Sequence, residues 1–380
     1  MGWTWESMKK STEPKNKTQT EGRTEITPII VHPLALALIL SLIFSLGGLF
    51  LMVTVPEELN RFLENYIADP WYAPSEEGVQ VRAQYESVVA FLRPIAYLSF
   101  WLMIITIIVG VLIKRYKLSF LGSLTFYLPI FGQFATMMGP FFIFAGIGVS
   151  RTLWVPILDH VPKLLNLGAI FYFPLVVIFF LIDLLLALLI FSLREPLLQP
   201  LLGEEMAISI THLLNFMIVF FIAGIGIFIF TFAVVTWLYG RFQGRKVIDF
   251  WIYRYSRHPQ YMGLIIWNYG LLMLSTISHI GLFPPTFPFL VLSLVIIGMA
   301  LNEENTMIRQ HTEEYITWRE RTPFLFPLPR RIRSFITYPM RKLIKKEWPE
   351  SNKDIIQVLL IYGSIVVLMS VPLVNYVFWQ

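Results

Sequence analysis

Long apolar runs with few charged residues restrict the fold of this chain more than any other feature. An α-helix needs about 20 apolar residues to cross the hydrocarbon layer of a membrane, and runs of this length recur along the whole sequence. We therefore predict an all-α fold, a polytopic transmembrane helical bundle with about seven spans. The predicted spans are Ile29–Val55, Ile95–Ile113, Gly168–Leu193, Thr211–Leu238, Leu264–Ile277, Phe287–Leu301 and Ile355–Val377.

The run Leu118–Val149 does not fit a simple span, because it is too long for one helix and too short for two. Cationic loops mark the cytoplasmic side of a membrane, and both Lys114–Lys117 and Arg241–Arg257 are cationic. If both stretches lie on that side, an even number of crossings separates them. We therefore predict that Leu118–Val149 is a re-entrant segment or a broken hairpin that returns to its own side. The alternative is a single crossing, in which case one of the two charge markers is misleading.

The composition excludes several classes of protein. Hydrophobic residues make up 56% of the chain and charged residues 14%, which is unlike a soluble domain. The pI near 9.2 comes from arginines and lysines in loops, so it indicates membrane orientation rather than nucleic-acid binding. The chain has no cysteine, which excludes disulfides and thiol catalysis. Its histidines show no metal-binding spacing.

Two polar clusters flank a pair of apolar segments in the C-terminal half of the chain. The first cluster is Arg257-His258-Pro259-Gln260-Tyr261, and the second is Asn302-Glu303-Glu304. The apolar segments between them are joined by an uncharged stretch that contains Pro284 and Pro285. We predict an antiparallel helical hairpin, which brings both clusters to one membrane face at a similar depth.

The residue types in these clusters favour a small ligand with charges of both signs. Pro259 suits the first turn of a helix, whose free N–H groups attract an anion, and Arg257 adds a fork for a carboxylate or phosphate. Gly263 removes a side chain where a flat ligand could lie against the helix. Glu303 and Glu304 can accept hydrogen bonds from an ammonium group or from ribose hydroxyls. A zwitterion joined to a nucleoside would satisfy both clusters.

The pattern from Arg257 to Tyr261, followed by Glu303-Glu304, resembles the RHPxY…EE signature of the isoprenylcysteine carboxyl methyltransferase and phospholipid methyltransferase superfamily. The resemblance covers roughly residues 236–329. Trp251-Ile252 stands where this family commonly has Gly-Pro, and His311-Thr312 stands where it has Phe-Gly. Both differences lie outside the cofactor-contacting positions, so they concern the subfamily rather than the cofactor. The resemblance implies that S-adenosyl-L-methionine is the cofactor, bound by Arg257, His258, Pro259, Tyr261, Gly263, Glu303 and Glu304.

The resemblance also implies a methyltransferase whose acceptor is lipid-like or membrane-borne and enters from the bilayer. Such acceptors include an isoprenylcysteine carboxylate, a phospholipid amine and a small thiol. Glu304 and His311 are the candidates for a general base, which is needed only where the acceptor starts protonated.

Two alternatives remain: a sterol-reductase-like membrane oxidoreductase that uses NADPH, and a non-catalytic membrane scaffold of the same fold. The intact Arg-His-Pro-x-Tyr and Glu-Glu sequences argue against a scaffold. The adjacent Glu303 and Glu304, and the lack of a pronounced basic pocket within the motif itself, favour the methyl donor over NADPH.

A basic stretch follows the motif, and it completes the predicted organisation. Arg330–Lys346 carries seven cationic residues and no acidic one, interleaved with apolar residues, so we predict that it lies on anionic lipid headgroups. The N-terminus and the site are predicted to be cytoplasmic. The predicted parts are a disordered polar tail (1–28), an N-terminal membrane domain (29–205), a methyltransferase core with the hairpin (206–329), a basic interfacial segment (330–353) and a C-terminal transmembrane helix (354–380).

Overall fold

The computed structural model describes residues 32–47, 77–137, 151–175, 177–181, 184–185, 204–277, 285–310 and 312–376. All regular secondary structure in these residues is helical, which confirms the all-α prediction. The predicted polar tail, 1–28, lies outside them. The α-helices are α1 (Pro33–Gly47), α2 (Glu77–Leu112), α3 (Tyr116–Met137), α4 (Val155–His160), α5 (Phe173–Leu181), α6 (Glu204–Phe242), α7 (Pro259–Ile277), α8 (Thr286–Gln310), α9 (Thr312–Arg321), α10 (Arg330–Ile344) and α11 (Asn352–Tyr376).

Four helical segments in the described residues are long and apolar enough to cross a membrane. They are Arg93–Leu112, Leu213–Phe242, Thr286–Gln310 and Asn352–Asn375. A fifth is added if the bent pair Pro162–Phe171 and Phe173–Leu181 counts as one span. The apolar window of α8 is 61% buried, against 17% in α2 and in α11. Helix α8 is therefore the central helix of the bundle, and α2 and α11 present most of their apolar surface outward, as membrane helices do.

Contacts of Tyr116 define one end of the bundle. This residue begins α3, directly after the turn that follows α2, and packs in one buried cluster with Leu301 of α8 and Met340 of α10. Its hydroxyl donates a 2.7 Å hydrogen bond to Asn352 Oδ1 at the start of α11. We call this the site end, because Leu301 directly precedes the polar cluster of α8. The cationic stretch Lys114–Lys117 thus lies at the same end as α10, in agreement with the charge pattern of the sequence.

The opposite end of the bundle, here the far end, is formed by residues 151–171 and the start of α8. The Gly168 amide donates a 3.0 Å hydrogen bond to Thr286 Oγ1, and the Ile170 amide donates one of 3.3 Å to Ser370 Oγ, near the end of α11. Helix α8 is 25 residues long, so about 37 Å separates its two ends at ~1.5 Å per residue.

The structure differs from the predicted re-entrant segment at Leu118–Val149. Its described part belongs to one helix of 22 residues, Tyr116–Met137, which continues through Pro129 and is about 33 Å long. The chain bends later instead, where Pro162–Phe171 and Phe173–Leu181 meet at 61°, inside the predicted span Gly168–Leu193. Proline is tolerated within such apolar helices because neighbouring groups satisfy the freed backbone. Residues 138–149 lie outside the described part of the chain.

The predicted N-terminal membrane domain and the predicted core share one buried cluster. Met103 of α2 and Phe126 of α3 pack in it with Leu271 of α7 and Phe289 of α8. The Tyr127 hydroxyl also donates to the backbone carbonyl of Asn268 in α7. Packing is therefore continuous across the predicted boundary near residue 205.

The most extensive helix pair is α6 against α7, and glycines allow their backbones to approach closely. A Cβ atom added to Gly263 would lie 2.5 Å from the amide nitrogen of Phe230 in α6. One added to Gly270 would lie 2.7 Å from the Cα atom of Ala223. Small residues at the interface are typical of close helix pairs in membranes. This glycine seam, Gly263 and Gly270, fixes how the first polar cluster is presented at the site end.

Candidate functional site

The first polar cluster is attached to the chain that follows α9. After a 3₁₀ turn at Trp251–Arg254, the Arg257 amide donates a 2.9 Å hydrogen bond to the Pro323 carbonyl. The His258 amide donates one of 3.2 Å to Ser256 Oγ. Pro259 is the first residue of α7, which confirms its predicted place in the first helical turn.

Glu304 lies at the centre of the site and is completely buried. Arg257 Nη1 lies 2.7 Å from Glu304 Oε1 and 2.8 Å from Oε2. Arg319 Nε lies 3.3 Å from Oε2, and His258 Nε2 lies 3.2 Å from Oε1. Burial of a carboxylate is costly unless cations and donors compensate it, and here two guanidinium groups and one imidazole do so. Both oxygens of Glu304 are thus engaged within the protein.

Glu303, in contrast, is half exposed, with 50% of its side chain accessible. The Tyr261 hydroxyl donates a 2.6 Å hydrogen bond to Glu303 Oε1, and His258 Nδ1 lies 4.0 Å from Oε2. The rings of His258 and Tyr261 stack at 5.7 Å between centroids. One imidazole therefore lies between the two carboxylates, and Glu303 keeps an accessible acceptor surface for a ligand.

Burial and charge set the protonation of the groups around this pair. Burial lowers the pKa of Arg257, while Glu304 opposes that change, and a guanidinium keeps its proton in proteins. Burial and the nearby Glu304 raise the pKa of Tyr315. Burial and the nearby Glu303 raise the pKa of Tyr253. Both phenols therefore remain protonated near neutral pH, so each carries a proton that it can donate and neither acts as a base.

Arg319 is a member of this cluster that the sequence analysis did not identify. It reaches Glu304 from α9, a separate helix, and its Cζ atom lies 4.4 Å from the Trp348 ring centroid. Arg257 Cζ lies 5.2 Å from the same ring. The sequence did contain a signal: Arg319 follows Tyr315 by four residues, so both lie on one face of α9.

Gly263 does not fit the predicted place for a flat ligand. The space beside its Cα atom is occupied by the backbone of α6, at Gly226 and Phe230. Helix packing accounts for this glycine. The part of α7 that adjoins the polar cluster is its first turn, at Tyr261, just after His258.

A cavity of about 580 Å³ adjoins the cluster on the side of its two arginines. It lies between α8, α10 and α11, and Arg257 and Arg319 contribute to its lining. Two buried donors at the cavity have no hydrogen-bond partner in the described residues, namely Arg257 Nε and Trp348 Nε1. The rest of the lining consists of Leu294, Ile297, Leu301, Thr322, Phe324, Leu325, Phe326, Leu328, Arg330, Arg333, Ser334, Ile336, Thr337, Met340, Arg341, Glu347, Pro349, Val358, Leu359 and Tyr362.

The structure thus brings together most of the residues that the sequence singled out. Arg257, His258 and Glu304 form one buried cluster, and Tyr261 and Glu303 form a pair beside it. His311, the second candidate for a general base, lies outside the described residues. Within the described part of the chain, no group of three or more potential ligands is placed to hold a metal ion.

Comparisons with known proteins add no relative: no protein-family model matches this chain, and no curated protein or solved structure matches it. The resemblance to membrane methyltransferases is therefore carried by the residues of the two polar clusters themselves.

Proposed function

We propose that this protein is an S-adenosyl-L-methionine-dependent methyltransferase of membranes that acts on a lipid-like or membrane-borne acceptor. One observation carries the proposal. The two halves of the motif, 46 residues apart from His258 to Glu304, meet in a single hydrogen-bonded cluster at one end of an apolar helical bundle. Such a cluster is costly to bury, and buried charged side chains at the end of an apolar helix bundle are often functional.

The donor chemistry of the site fits the proposed cofactor. Glu303 offers an accessible carboxylate for an ammonium group or ribose hydroxyls. Two buried donors outside the cavity have no partner in the described residues and suit a ligand carboxylate, namely Tyr253 Oη and Trp318 Nε1. When bound, the cofactor supplies an electrophilic methyl group. The protein's part is to orient the reactants and to exclude water, which provides most of the acceleration in such a transfer.

The structure changes the role that we assign to Glu304. Both of its oxygens contact cations or a donor, so it does not fit the general base suggested by the sequence. We assign it instead the positioning of Arg257 and His258, and we assign ligand binding to Glu303 and Tyr261. His311 remains the other candidate for a base if the acceptor starts protonated.

The finer topology is part of the same proposal. In it the chain crosses the membrane about seven times, with its N-terminus and the site end in the cytoplasm. The acceptor enters from the bilayer, and the core of the enzyme comprises residues 206–329. Support comes from the cationic stretches Lys114–Lys117 and Arg330–Lys346, which lie at the same end of the bundle.

Binding of S-adenosylhomocysteine to the detergent-purified protein tests the proposal. We expect saturable binding by calorimetry, weakened about tenfold in Glu303→Gln through loss of a charge-assisted hydrogen bond. Glu320→Gln is the matched control, because Glu320 is an exposed carboxylate on α9 at the same end. Absence of binding in the wild-type protein, or equal weakening in both variants, contradicts the proposal.

One observation favours a second candidate, an NADPH-dependent membrane oxidoreductase. Arg330, Arg333 and Arg341 of α10 line the same cavity as Arg257 and Arg319. The sequence alone offered no pronounced basic pocket within the motif, whereas the fold places five arginines around one space, which suits a nucleotide phosphate. Calorimetry with NADPH in place of S-adenosylhomocysteine separates the two: only one of the ligands should bind at micromolar concentration.

A further inference from the structure

The cavity beside the site has two chemically different regions. Its deep wall is apolar and is formed by Leu294 and Ile297 of α8 with Val358 and Leu359 of α11. Its other region carries the five arginines, three of which belong to α10. At its edge, Leu328 and Ile336 are exposed, with 36% and 43% of their surfaces accessible, so the cavity opens to the outside of the bundle.

The arginine region lacks enough negative charge to balance it. Among the cavity-lining residues, Glu347 is the single acidic residue against five arginines. The nearby buried Glu304 is shared by Arg257 and Arg319. The side chain of Arg257 is 94% buried, and its Nε atom has no partner in the described residues. A buried donor without a partner is costly, which indicates that an acceptor group from a ligand completes this region.

We propose that this cavity binds an anionic phospholipid from the surrounding membrane, with its phosphate among Arg257, Arg333 and Arg341 and an acyl chain along α8 and α11. The ligand is a phosphate group on an apolar tail. This proposal does not depend on the proposed methyl transfer. Arg257 Nε and Trp348 Nε1 donate to the phosphate oxygens. The volume of about 580 Å³ lies within the ~300–1,000 Å³ of ligand sites in proteins.

The helix α10 explains why the phosphate comes from a lipid and not from a soluble nucleotide. Two of its large apolar residues are turned outward: Phe335 is 81% exposed and Leu343 is 63% exposed. Such a basic amphipathic helix lies at the surface of an anionic membrane. On another face, α10 lines the cavity, and Ile336 accepts a 2.5 Å hydrogen bond from the Tyr362 hydroxyl of α11. The opening of the cavity therefore lies at the level of the lipid headgroups.

The test is lipid binding to the full-length protein in detergent, measured by native mass spectrometry with added phosphatidylglycerol or phosphatidylcholine. We expect one phosphatidylglycerol to be retained per chain and phosphatidylcholine to bind at least tenfold more weakly. Arg333→Gln should weaken phosphatidylglycerol about tenfold, as loss of one charge-assisted hydrogen bond implies. Arg331→Gln is the matched control, because Arg331 is an exposed neighbour that does not line the cavity.

A second pair of variants tests the apolar region without changing charge. Leu359→Trp fills the cavity and should abolish retention of phosphatidylglycerol. Leu360→Trp is its control, because Leu360 is 64% exposed and lies outside the lining.

Three results would overturn the proposal. The first is equal retention of the two lipids. The second is equal weakening by Arg331→Gln and Arg333→Gln, which would indicate diffuse surface charge. The third is displacement of the lipid by stoichiometric NADPH, which would make this a nucleotide site. Binding of S-adenosylhomocysteine is measured separately on the same samples, so failure of the lipid site and failure of the methyltransferase proposal are distinguishable.

Discussion

At the scale of single residues, Glu303 and Glu304 are adjacent in sequence and opposite in environment. Glu304 is fully buried and contacts two arginines, whereas half of the Glu303 side chain is exposed. Removing a buried carboxylate leaves its cationic partners without a counter-charge. Removing an exposed carboxylate has little effect, because water solvates the remaining charge. Glu304 therefore maintains the site, and Glu303 is available for a ligand.

We expect Glu304→Gln to lower the free energy of unfolding by about 3–5 kcal/mol, because Arg257 and Arg319 lose their shared counter-charge. Glu303→Gln should cost less than about 1 kcal/mol, because its side chain is half exposed. The measurement is thermal unfolding of the purified protein in detergent. If both variants shift the midpoint equally, Glu304 does not have the structural role assigned to it.

At the scale of helices, α7 shows what the sequence could and could not predict. Its start at Pro259 and the meeting of Arg257 with Glu304 followed from local rules, since a proline marks a first turn and an apolar hairpin aligns its ends. The role of Gly263 did not follow, because a glycine that admits a ligand and one that admits a neighbouring backbone look identical in a sequence. Arg319 was missed for a related reason: it reaches the site from a later helix.

The glycine seam leads to a second prediction. Gly263→Ala should lower the thermal midpoint, because the added Cβ would lie 2.5 Å from the Phe230 backbone nitrogen. Gly224→Ala on α6 is the control: its Cβ would meet nothing within 4 Å, and alanine is favoured over glycine in a helix by about 1 kcal/mol. Its midpoint should stay unchanged or rise. A stable Gly263→Ala variant would contradict the close packing of α6 and α7.

At the scale of the whole molecule, cationic stretches that are far apart in sequence lie at one end of the bundle. The start of α3 contacts α8 and α10 there through Tyr116. Arg93 and Asp159 form an ion pair near the start of the apolar part of α2. The loop charges predicted this shared end, because cationic loops lie on one side of a membrane regardless of how the helices pack. The path between the charges was not predictable in the same way, since an apolar run with proline fits a straight helix or a bent one.

The arrangement of the two ends is testable with single cysteines, since the chain has none of its own. In sealed vesicles, Lys117→Cys and Lys342→Cys should react with an impermeant maleimide from one side. Lys163→Cys, at the far end, should react from the other side only. Labelling of all three positions from the same side would show that the two ends of the bundle do not face opposite sides of a membrane.

The carboxylate of Glu304 also links segments that lie far apart in the sequence. Its partners are Arg257 and His258 before α7, and Arg319 on α9, which follows it by fifteen residues. The burial of Glu304 is therefore complete only when α9 packs against α8 and supplies Arg319. In the folded protein, movement of α9 away from α8 would remove Arg319 from Glu304. It would also expose the ion pair between Glu304 and Arg257 to solvent. Local opening of α9 should accordingly loosen the start of α7, so the amides of both segments should exchange with solvent together.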